Sequence, residues 1–201
     1  MAYTTLANVR AYLKFNASET GDDTLITGLI PYAQMLIDNY VGYSFEASSD
    51  TTRYFDAEED VKVLRQNMVF KGLRDTLFFD TYLAQLTSVV FTGVTLQQSD
   101  YVLQPPNSAP YYALTILASS PRFWDYDDDP ENAIAVTGRW AYSITAPVAI
   151  SQLCIELTAY LYNQRFTVAG EGGVSPDGAV MRIPQHIAMF LDTYKKAVSW
   201  R

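Results

Sequence analysis

Few residues in this chain could do chemistry, and the longest stretch able to wrap a ligand is "VAGEGGVSPDGAVMR" at 168–182. Gly170, Gly172, Gly173 and Gly178 give its backbone the freedom that a phosphate cradle, an active-site lid or a partner-ordered segment would need. A phosphate loop also needs a Lys followed by Ser or Thr, and a strand before it. Here the pair is missing and a helical pattern precedes the glycines, so the phosphate reading falls. "DYDDDPEN" at 125–132 sets Asp125, Asp127 and Asp129 at the first, third and fifth places of a calcium loop. Pro130 stands where that loop needs Gly for its sharp turn, and Val136 stands where a bidentate Glu belongs. What is left is a solvated acidic loop with, at most, weak incidental cation binding. His186 is the only histidine, and no G-x-S-x-G elbow exists to pair with it. These residues argue against an enzyme and imply no metal site and no cofactor.

The elements that position such residues must come from an ordinary folded chain. Its 201 residues are 49% hydrophobic, 14% aromatic and 18% charged, which excludes a disordered protein. A chain of this length buries ~70% of the surface its unfolded form exposes and needs no staple. The lone Cys154 cannot form an intrachain disulfide, and its helical setting reads as core. The opening "MAYTTLANVRAYLKF" lacks the charged and apolar regions of a secretion signal, and Gln152 and Glu156 interrupt the best candidate for a membrane span. A soluble protein made in the cytoplasm is the expectation. The net charge of −8 argues against gripping nucleic acid, because phosphate neutralisation needs a basic surface. It leaves room for a wall past which DNA slides without sticking.

Three zones follow along the chain. Residues 1–49 read as helical. Thr4 or Thr5 caps a short helix, Asp22 or Asp23 caps a longer one, and Gly42 closes it. Pro31 lies inside the longer run and predicts a kink or two shorter helices. Residues 50–145 turn β-branched and aromatic, with strand patterns in "TTRYFDA", "TLFFDTYL", "LTSVVFTGVTL", "DYVLQP", "YYALTIL" and "AIAVTGRWAYS". Pro105, Pro106 and Pro110 mark a loop or an edge. Residues 146–201 return to helix, interrupted by the glycine-rich stretch 168–182. The helix begun at Pro147 carries apolar residues on nearly all sides, which fits a central element or a subunit contact. The last helix shows one stripe of Ile187, Phe190, Leu191, Tyr194, Ala197 and Val198. The fold class is α+β, a mostly α-helical core with a small antiparallel β domain inserted.

The order "TLANVRAYL", "DDTLITGLIPYAQMLIDNYVG", "PVAISQLCIELTAYLYNQR" and "RIPQHIAMFLDTYKK" resembles the head–tail connector family of tailed bacteriophages, also called adaptor or head completion proteins. The resemblance spans nearly the whole chain, and its weight lies in the order of soft motifs. It implies a structural protein of the virion with no catalytic residues, forming a ring, twelve-fold in the particle, under the portal protein. That ring would extend the DNA channel without specific DNA binding and meet a neck or tail completion protein. Within this picture Tyr160, Tyr162 and Phe166 are expected on the outward, subunit-facing side of their helix, since aromatics suit interfaces. Tyr194, Lys195, Lys196, Trp200 and Arg201 are expected to dock on the portal, with 168–182 as a flexible tether. Packing of Trp200 on its own subunit is the competing expectation. From a different functional class, a tail or baseplate β-type module binding carbohydrate or protein is the alternative, and an unknown hydrolase is a distant third.

Overall fold

The computed structural model describes residues 2–56, 64–65, 68–69, 76–122, 124, 131–169 and 183–195, with main chain only at 64–65, 68–69 and 165–169. These residues fall into two compact units, one drawn from Met1–Phe45 and Ala146–Ser199, the other from Glu46–Thr145.

The first unit is built of helices α1 (Leu6–Tyr12), α2 (Asp23–Val41), α3 (Val148–Ala169) and α4 (Gln185–Asp192). Thr5 caps α1, its hydroxyl accepting from the Asn8 amide. Gly42 ends α2 in the left-handed region at φ 87°, where a side chain would be strained. Of the two outcomes expected at Pro31, the split into two shorter helices does not occur: α2 runs as one element from Asp23 to Val41. Ile26 and Ile30 before Pro31, and Ala33 and Ile37 after it, are all buried on one face. Packing on both sides outweighs the local cost of the missing N–H. α3 lies against α1 and α2, and Val9, Ile26, Ile30 and Tyr162 form a buried cluster there. Cys154 is buried in α3, and burial pushes its thiol up to about 12, so it is an inert core residue. α3 is not apolar all round. Its exposed strip includes Gln152 and Asn163, and Gln152 donates to Glu156 one turn on.

The second unit holds β1 (Thr51–Phe55), β2 (Leu64–Arg65), β3 (Met68–Val69), β4 (Thr76–Leu83), β5 (Gln85–Phe91), β6 (Val94–Thr95), β7 (Tyr101–Gln104), β8 (Tyr111–Ile116) and β9 (Ile134–Arg139). They pair antiparallel in a four-stranded sheet of order β1-β9-β5-β6, a three-stranded sheet β4-β8-β7, and the β2-β3 pair. The β5–β6 hairpin turns on Thr92 and Gly93, both at positive φ, the geometry a two-residue hairpin favours. Pro105, Pro106 and Pro110 occupy the connection between β7 and β8. Alternate residues of the two larger sheets meet in one core: Phe79, Leu83, Val89, Phe91, Leu114 and Val136, joined by Trp140.

Helices with antiparallel sheets make the chain α+β, as expected. The expectation of a mostly α-helical core is corrected, because among the described residues 36% helix stands against 27% strand. The physical reason is that the strand-rich zone has its own apolar, close-packed interior and is no small appendage. Gly138 illustrates how close that packing is. A Cβ there would collide with the Gln85 carbonyl oxygen and lie 2.9 Å from Leu83 Cδ1. It sits where the β5–β9 register shifts between Leu86 and Ser88.

Candidate functional site

Among the described residues, those that sequence reasoning singled out do not converge on one reactive centre. Among the described residues, no group of three or more His, Cys, Asp and Glu is placed to hold a metal ion. His186 opens α4 with its side chain largely exposed, 3.9 Å from Glu156. No helix among the described residues is long and apolar enough to cross a membrane. Asp125, Asp127 and Asp129, the glycines Gly170, Gly172, Gly173 and Gly178, and Lys196, Trp200 and Arg201 all lie outside the described residues.

The α3 aromatics divide. Tyr160 is 37% exposed, with its hydroxyl accepting from Gln164 Nε2 at 2.5 Å. Tyr162, expected beside it on the outward face, is instead 5% exposed and belongs to the core of the helical unit. Its ring meets Phe15 edge-on at 5.7 Å, and its hydroxyl donates to Asp22 Oδ2 at 2.6 Å. The flanking apolar stripe of α3 is wide enough to include Tyr162, and a buried hydroxyl needs a partner, which Asp22 supplies. The main chain of Phe166 lies in α3.

The two described members of the C-terminal group also make contacts within their own unit. Tyr194 packs edge-on against Phe45 at 5.3 Å and tilts over Phe190 at 5.8 Å, and its carbonyl accepts from the Tyr43 hydroxyl. Lys195 Nζ lies 2.9 Å from Asp192 Oδ1 and 3.9 Å from the centre of the Tyr40 ring. Tyr40 in turn donates to Asp192 Oδ1 at 2.8 Å. Hydrogen bonding to Lys195 holds the Asp192 carboxyl below its ordinary range, and the same bond raises the lysine. The stretch after α4 is thus fastened to α2 and to the turn that follows it. These contacts hold Tyr194 and Lys195 on their own unit, with the Lys195 side chain still exposed.

One polar contact was not visible in the sequence. Tyr3 and Asp38 lie 35 positions apart, and the Tyr3 hydroxyl donates to Asp38 Oδ1 at 2.5 Å. That hydroxyl also lies 3.1 Å from Ser44 Oγ and accepts from the Phe45 amide at 2.6 Å. Burial pushes the Asp38 carboxyl up to about 6, with the hydrogen bonds from Tyr3 and Ser44 opposing that rise. No motif or periodicity links the two residues, so nothing short of the folded chain reveals the contact.

No protein-family model matches the chain, and no curated protein does. Solved structures do. A chain from the neck of an empty gene transfer agent particle, computed with C6 symmetry, superposes with a TM-score of 0.59 at 13% identity, covering 96% of this chain and 89% of that one. A chain from the neck of the native particle, computed with C12 symmetry, gives 0.56 at 11% identity over 96% and 88%. A chain from the virion of the native gene transfer agent particle gives 0.58 at 12% over 96% and 89%. At these identities the likeness establishes the fold, which this chain shares with neck chains of such particles.

Proposed function

We propose that the protein is a structural connector at the head–tail junction of a phage or phage-like particle, forming an oligomeric ring beneath the portal. The observation that carries this is fold likeness over 96% of the chain to neck chains, so both of its units are part of the likeness. The C6 and C12 symmetries of those necks support a ring whose copy number is twelve. The division into a helical unit and a β unit supports a helical body built from 1–49 and 146–201 with the strands of 50–145 inserted.

In this reading the ring extends the DNA channel and presents its far side to a neck or tail completion protein. The net charge of −8 suits a channel that DNA passes without being held. Tyr160 remains the described α3 aromatic available to a neighbouring subunit. Docking on the portal through Lys196, Trp200 and Arg201 rests on the residue types alone, because aromatic and Arg side chains are favoured at interface hot spots.

The test is to mix the purified protein with the portal protein of the same genome and image the product by negative stain. Rings stacked coaxially on portals support the proposal. Portals left bare, with the protein remaining as single particles, would defeat it.

A further inference from the structure

Tyr3 is held both by its main chain and by the tip of its side chain. The main-chain N–H of Tyr3 donates to Gln34 Oε1 at 3.2 Å, and its hydroxyl donates to Asp38 Oδ1. Gln34 and Asp38 stand four residues apart on α2, a rise of ~6 Å along the axis, so Tyr3 lies lengthwise on one strip of that helix. The hydrogen-bond directions at the hydroxyl are fixed by elementary chemistry. An amide N–H can only donate, so Phe45 donates to the phenolic oxygen and leaves its proton for the carboxylate.

That amide matters for where it is. Phe45 lies in neither helix nor strand, four residues beyond the end of α2, and is the last residue of the helical unit before Glu46 opens the β unit. Its ring is fully buried, with Tyr3 edge-on at 6.1 Å, Tyr43 at 5.3 Å and Tyr194 at 5.3 Å. Three separate parts of the chain therefore converge on the exit from α2: the N-terminal residues, the α2 end itself and the turn after α4.

We infer that the N-terminal segment is a strap, and that the Tyr3 hydroxyl is its buckle, locking the exit segment 43–45 onto the end of α2. The strap has two states. Fastened, it holds the Phe45 amide out of water. Unfastened, it opens the Phe45 amide to water while the helices stay packed, because Val9, Ile26, Ile30 and Tyr162 belong to a separate cluster that does not involve the buckle.

Residue-resolved amide hydrogen exchange on the full-length protein tests this. In the unaltered chain the Phe45 amide should exchange as slowly as interior amides of α2, although it belongs to no helix or strand. A Phe45 amide that exchanges at the rate of an open loop overturns the inference without any variant. Tyr3→Phe keeps the ring and removes the buckle. It should speed exchange at Phe45 at least tenfold while amides at Ile30 and Ala33 change less than twofold. Unchanged exchange at Phe45, or equal acceleration at all three positions, means that no separate strap exists.

Discussion

The Tyr162 hydroxyl donates to Asp22 Oδ2 across 140 positions of sequence, tying the middle of α3 to the residue that precedes α2. Asp22 makes no capping bond to its own helix with that side chain, so its carboxylate serves the long-range contact instead. Tyr162→Phe leaves a partly buried acceptor without this donor and should cost about 1–2 kcal/mol in urea denaturation. Tyr162→Glu should abolish the cooperative unfolding transition, because it sets a second carboxylate in the apolar cluster opposite Asp22. A Glu variant that melts like the parent would contradict the buried placement.

Gly138→Ala should destabilise the β unit through overpacking, by about 1–3 kcal/mol, since the Gln85 carbonyl belongs to the paired strand and cannot swing aside. Tryptophan fluorescence reports this directly, because Trp140 is packed in that core. A fluorescence midpoint within error of the parent would mean that the strands can separate locally at little cost.

Asp38 sets a definite sign for pH dependence. Its folded-state carboxyl is pushed up from 3.8 to about 6, so its contribution to stability is fully present below 3.8 and is lost as pH rises through about 6. Asp38→Asn keeps an acceptor for Tyr3 and removes the titration. Relative to the parent, the variant should therefore gain melting temperature between pH 4 and about 6 and level off above that. A difference that stays flat or shrinks over that range rules out the raised carboxyl.

Tyr194→Ala should lower stability by about 2 kcal/mol through loss of its ring contacts with Phe45 and Phe190, although sequence position alone places it near a fraying end. Guanidinium melts of the full chain would measure this. Unaltered stability paired with weakened portal binding would return Tyr194 to a docking role.

The strand segments were legible because β-branched and aromatic runs alternate between turn residues, as the match of "TLFFDTYL" to β4 and "YYALTIL" to β8 illustrates. The helix ends were legible at Thr5 and Gly42, where one residue's chemistry decides the geometry. Pro31 misled only as to a break, because a local penalty was weighed without the packing of Ile26, Ile30, Ala33 and Ile37 that offsets it. Tyr162 misled for a related reason: an aromatic on a helix flank suits an interface or a core equally, and its hydroxyl's partner lies in another helix region. The Tyr3, Asp38 and Phe45 contact had no local signature at all, being assembled only by tertiary folding.

The connector role is tested most directly by a cryo-EM reconstruction of the head–tail junction in assembled particles from the same genome. The account predicts a ring of twelve copies directly beneath the portal, into which both the helical and the β unit fit without rebuilding. A junction fully accounted for by other chains, with this protein at the tail tip or missing from the particle, would contradict it.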